Sequence, residues 1–167
     1  KADESWKEIF LKEFKESYEK FNIHNNILED KDRRSIEEAI DEYSNLDNDD
    51  LEVGLLHYDF HANHVMVNDN KVTGFIDFEW SRFGDPLWDL QKLPINLSID
   101  GDFPTKEFLK GYGKERFSDK ELIRFKAYCF MQGIWQIDNT RFGDFGFPES
   151  SVKDGYLLIK NATNWSI

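Results

Sequence analysis

Between Leu55 and Phe78 the periodicity of the chain changes, and this change constrains the fold more than any other feature. Upstream, Trp6, Phe10, Phe14 and Tyr18 recur every fourth residue, with Phe21 one turn on and Lys and Glu between them. That spacing predicts an amphipathic helix over about 4–21, whose apolar stripe demands a partner surface. Ile36, Ala39, Ile40 and Tyr43 predict a second helix over about 30–43, and the acidic stretch from Asn45 to Glu52 reads as a loop. At Leu55 the helical spacing stops. Leu55 and Leu56 lead into His57, Val65-Met66-Val67 run to the polar turn Asn68-Asp69-Asn70, and Val72 to Phe78 return, which predicts a β-hairpin. Such a hairpin sets Asp59 and Asp77 on adjoining ends of paired segments. Folding alone does not call for acids there.

Beyond Trp80 the run FGDPLWDL has the form of a helix start. Asp85 can accept the unpaired N–H groups of the first turn, and proline is tolerated at the first helical position. Further helices are expected from Thr105 to Leu109 or a little beyond, from Ser118 to about Asp138, and from Ser150 to Lys160. Gly111-Tyr112-Gly113 follows a short amphipathic segment with no preceding strand, so it reads as a helix stop and not as a phosphate loop. The lone Cys129, flanked by Tyr128, Phe130 and Met131, suits a buried thiol and cannot form an internal disulfide.

Composition narrows the function classes. A net charge of −12 disfavours nucleic acid as a partner, since phosphate-backbone affinity needs clustered Lys and Arg, and it favours a cationic ligand. There is neither a run of about 18 apolar residues nor a basic region leading into an apolar stretch at the N-terminus, so a soluble, cytoplasmic chain that does not engage membranes is expected. No Ser-His-Asp or Cys-His order supports acyl chemistry.

The octapeptide HYDFHANH at His57 to His64, followed by GFIDFEW at Gly74 to Trp80 and then by GDPLWDL, resembles the aminoglycoside phosphotransferase and choline kinase-like family. That family's usual form is HxDxxxxN, then IDxE or IDxD, then GDPxxDLA. The order Asn63-His64 resembles the 2''-aminoglycoside phosphotransferase branch. The resemblance implies an α+β fold: the mostly helical C-terminal lobe of a protein-kinase-like fold, with a small β-hairpin carrying the active site. It covers essentially the whole chain, read as one domain over 1–167, with a catalytic loop at 57–64 and a metal segment at 74–80. The nucleotide loop and the strand lysine of such kinases precede the catalytic loop by far more than 58 residues, so the nucleotide lobe is expected in the complete protein and not in this chain.

The activity implied is transfer of the γ-phosphate of ATP or GTP, with Mg2+, to a hydroxyl of a small cationic acceptor such as an aminoglycoside, conferring antibiotic resistance. In that chemistry Asp59 orients the acceptor hydroxyl and takes its proton. Asp77 is a hard anionic ligand for magnesium. The remaining metal position stays open between Asn63, whose carbonyl is the harder donor, and His64, which stands where the family's usual Asn falls. His57, Asp85 and Asp89 are implied as structural supports of the site. Glu79, two residues beyond Asp77 on the same side of a strand, extends the metal or substrate shell, and Trp135 and Asp138 are candidate substrate contacts. His61 and His24 have no identified partner and are left without a role. Two other readings compete: a non-catalytic module of the same fold that captures a cationic small molecule, and a metal-dependent phosphohydrolase, which leaves the motif order as coincidence.

Overall fold

The computed structural model describes residues 4–24, 26–47, 51–92, 106–142 and 149–164. Its frame is helical, with two small antiparallel sheets, so the α+β expectation holds for the described residues. Helix α1 (Trp6–His24) buries Trp6, Phe10, Phe14, Tyr18 and Phe21, the stripe legible in the sequence. It starts at a reciprocal cap in which the Glu8 carboxylate accepts from the Ser5 N–H at 2.8 Å while Ser5 Oγ accepts from the Glu8 N–H. The helix runs nearly a turn beyond the predicted end at about residue 21 and takes in His24. Helix α2 (Asp30–Asn45) opens with a capping box between Glu29 and Asp32 and buries Ile36, Ala39, Ile40 and Tyr43 against α1.

Strand β1 (Gly54–Leu56) pairs with β4 (Arg82–Gly84), Leu55 opposite Phe83, while β2 (Val65–Asn68) and β3 (Lys71–Phe75) form the hairpin. Asp69 and Asn70 at its tip have φ of 47° and 59°, the left-handed pair that a two-residue hairpin turn requires and that Asp and Asn tolerate. Two expectations need correction here. Leu55-Leu56 join a different sheet from the hairpin, and the return strand ends at Phe75, not Phe78. The reason is Asp77: its φ of 69° breaks the pleat, and a turn closed by Ser81 N–H to Phe78 C=O at 3.0 Å follows. Period-two alternation therefore does not connect Asp77 with Glu79.

A 3-10 helix (Pro86–Leu90) follows β4, and then α3 (Lys106–Gly111), α4 (Asp119–Phe142) and α5 (Ser150–Asn164) complete the described chain. The predicted start of α3 at Thr105 lies outside the described residues. Gly113, at φ 78°, ends α3 as a helix stop, with its N–H on the Lys110 carbonyl. Helices α4 and α5 cross at Gly133 and Gly155 so closely that a Cβ on either would stand 2.7 Å from the carbonyl oxygen of the other.

The core is aromatic where it approaches the loops. Phe10, Trp88 and Tyr128 pack ring to ring with Trp6, and Tyr43 packs on Phe10 and Tyr128. A polar thread runs through them: Trp6 Nε1–H donates to the Tyr128 hydroxyl at 2.9 Å, and Tyr128 donates to Asp85 Oδ2 at 2.8 Å. Asp85 also caps the 3-10 helix through the Leu87 N–H and pairs with the buried Arg124 guanidinium at 2.8 Å. The segment carrying Asp89 is thereby tied to α1 and α4. Cys129 is fully buried on α4, as its neighbours implied.

Candidate active site

The loop from His57 to His64 is held from below by one carboxylate. Asp89 accepts from the backbone N–H of His57 at 2.7 Å and of Tyr58 at 2.8 Å, so it supports the loop and does not face the cleft chemistry. Burial raises its carboxyl above the usual range, against the pull of those two N–H donors. Burial likewise raises Asp85, against its bonds to Leu87, Arg124 and Tyr128. Both aspartates act on the site through packing and backbone.

Tyr58, next to Asp59, has φ 71°, a costly conformation for a bulky side chain. It persists because the ring is clamped: it stacks on Trp88 with centroids 5.0 Å apart, and the Arg82 guanidinium sits 3.5 Å over its centroid. Trp88 Nε1–H also donates to its carbonyl at 3.3 Å. Burial pushes the Tyr58 phenol up to about 12, with Arg82 working against that shift. Left-handed backbone at Tyr58 and at Asp77 brackets the two motifs.

The two motifs, 57–64 and 74–80, are zipped together across the Ile76 peptide. Its N–H donates to the His64 carbonyl at 3.1 Å, and its carbonyl accepts from His57 Nε2 at 2.7 Å. His57 therefore supports the site from beneath, stacked against the His64 ring. The result sets His64 Nε2 3.5 Å from Asp77 Oδ2. His64 Nδ1 lies 3.0 Å from the Asp59 backbone carbonyl, which can only accept, so Nδ1 is the donor and Nε2 is the ring nitrogen turned to Asp77. His64 is buried and Asn63 is exposed, so of the two it is His64 that geometry brings to Asp77.

The Asp59 side chain, partly exposed, carries two neighbours that sequence reasoning missed. Lys92 Nζ forms an ion pair with Asp59 Oδ1, and His61 Nε2 lies 3.9 Å from Oδ2. His61 packs on His64 with ring centroids 3.7 Å apart. Its imidazole is held below its ordinary value, first by burial and then by the nearby His64, while Asp59 pulls the other way. Lys92 is 33 residues from Asp59, a distance no local pattern reveals; the only sequence signal was its place three residues after Asp89.

Asp59 opens onto a cleft of about 960 Å³ between α1, the Tyr58 to Arg82 region, α4 and α5. Trp80, Trp88 and Trp135 line it, and so do Glu13, Glu16, Glu79 and Asp154. Among the described residues Glu16, Glu79 and Asp154 have no ion-pair partner, whereas Arg82 pairs with Glu13 at 3.6 Å. Glu79 and Trp135 thus face the cleft. Asp138 does not line it: buried on α4, it pairs with Lys20 at 2.8 Å and lies 3.5 Å from His24 Nδ1, which gives both a place in the packing of α1 on α4.

No helix among the described residues is long and apolar enough to cross a membrane. A search of the curated proteins found no match. The family model described as the phosphotransferase enzyme family matches residues 2–124, well over half of the chain and the whole of both motifs.

Proposed function

Taking as premise that the chain belongs to the phosphotransferase enzyme family, we propose that it supplies the acceptor and magnesium side of a small-molecule kinase. Membership implies phosphoryl transfer in general; the acceptor, the metal ligands and the lobe are this reading's own. One observation carries it: Asp59 lies on the wall of an acidic, tryptophan-lined cleft, and its own carbonyl orients the histidine that faces Asp77.

In this reading Asp59 accepts the proton of the acceptor hydroxyl as the phosphoryl group arrives. Lys92 keeps the carboxylate in one orientation. Asp77 and His64 would hold the divalent cation, Asp77 giving the hard oxygen that magnesium prefers. Asp77 supplies the anionic oxygen such an ion prefers, and His64, the weaker donor for magnesium, is held in place by its bond to the Asp59 carbonyl. Bound there, the ion supplies neutralisation of the charge on the phosphates. Asn63 is left to water.

The cleft favours a cationic acceptor with hydroxyl groups. Glu16, Glu79 and Asp154 offer carboxylates for ammonium groups, and Trp80 and Trp135 offer faces on which a saturated ring can rest. An aminoglycoside meets that description, as does a smaller amino alcohol. The nucleotide, ATP or GTP, is gripped by a further lobe in the complete protein, a cytoplasmic enzyme in this account.

A phosphate-transfer screen of the full-length protein over aminoglycosides and amino alcohols, with ATP and with GTP, tests the reading. Magnesium-dependent transfer to at least one hydroxylated amine is expected. Acceptor binding with no transfer from either nucleotide would favour the binding module instead.

A further inference from the structure

We propose that Asp59, His61 and His64 form a binding site for a borderline transition-metal ion of the zinc class, which shares His64 with the hard-cation pair His64 and Asp77. One donor atom from each of the three residues lies within 4.8 Å of the other two. The donors are two imidazoles and one carboxylate, the set that zinc takes in three-ligand sites with an open fourth position, and a poor set for magnesium, which demands oxygen.

The surroundings suit this use. Lys92 occupies Oδ1 of Asp59, so Oδ2, the oxygen 3.9 Å from His61 Nε2, is the one available to an ion. A tetrahedral zinc ion spaces its ligands about 3.4 Å apart, given bond lengths near 2.0–2.1 Å. Closing from 3.9 Å is a small movement for His61, which sits on extended backbone (φ −155°) at the head of the Ala62–His64 turn with its side chain a quarter exposed. His64 is the fixed member, buried and stacked on His57. The site therefore has one buried imidazole, one partly exposed imidazole and a carboxylate already oriented.

Occupancy has a consequence that rests on the reading above: a zinc ion removes Asp59 from the acceptor hydroxyl and His64 from Asp77, so micromolar zinc competes with turnover. Binding is measured without turnover, which keeps failure of the site separate from failure of the phosphotransferase reading.

The test is titration of the purified full chain with Zn2+ against a chromophoric chelator, together with the visible spectrum of the Co2+-loaded chain. One zinc per chain is expected. His61→Ala should weaken binding at least about tenfold, by analogy with the losses that follow disturbance of metal shells, and His24→Ala should leave it unchanged. Tetrahedral Co2+ bands should appear in the wild type and vanish in His61→Ala. Wild-type zinc affinity in His61→Ala, or a wild-type Co2+ spectrum without tetrahedral bands, overturns the proposal.

Discussion

Asp77 takes a backbone conformation that costs an L-residue about 1–2 kcal/mol unless something repays it, and half of its side chain faces solvent. Packing does not explain the residue, and the conformation supports the cation-holding role proposed for it. The consequence is measurable: Asp77→Ala should be about 1 kcal/mol less stable than Asp77→Gly, because only glycine occupies positive φ freely. Chemical denaturation of the pair decides it. Equal stabilities would mean that the segment relaxes out of the left-handed region and that the strain argument fails. Tyr58 shows why such sites escape sequence reading: nothing in HYDF signals a positive φ, which is imposed by Trp88 and Arg82 arriving from 24 and more residues away.

Among the elements, the 3-10 helix behind the site depends on Asp85 and the crossing of α4 with α5 on two glycines. Removing Asp85 takes away the carboxylate that pairs with the buried Arg124 guanidinium and accepts from the Leu87 N–H and the Tyr128 hydroxyl, so Asp85→Ala should cost about 3–5 kcal/mol, the range for breaking a buried pair from one side. Urea denaturation of the variant measures it, and a loss below 1 kcal/mol would show that the thread from Trp6 to Asp85 carries little of the fold. Gly155→Ala drives a methyl to 2.7 Å from the Gly133 carbonyl and 2.9 Å from Ile137 Cγ1. A loss of about 1–3 kcal/mol is expected, as for other overpacked contacts, seen as a lowered thermal midpoint. An unchanged midpoint would mean that the helices separate without cost. Elements with strong local periodicity, α1 and α2, were legible because burial of one face leaves a 3.6-residue imprint. The hairpin turn was legible because Asp and Asn tolerate left-handed backbone. The pairing of Leu55-Leu56 with Arg82–Gly84 was not, since strands of three residues leave no pattern and their register is set by tertiary contact.

For the molecule as a whole, an acidic chain of net charge −12 concentrates unpaired carboxylates in the cleft that Asp59 faces, while Lys20, Arg82 and Lys92 are each paired with an acid. The motifs were legible as a set, with Asp59, Asp77 and the neighbours Asn63 and His64 marked by their order and the choice between the last two left open. Which residues complete the set was not: His61 and Lys92 belong to it through folding, and Asp138, an attractive acid on an aromatic helix, is occupied by Lys20. The central claim is that Asp59 is the group that receives the acceptor's proton. It is tested most directly by turnover of the full-length protein with Asp59→Ala against the wild type, at saturating nucleotide and magnesium, with circular dichroism confirming the fold. The account predicts a fall in kcat of about 10²–10⁴-fold, the usual worth of a positioned proton acceptor, with the acceptor still bound. Turnover within a few-fold of wild type would contradict it.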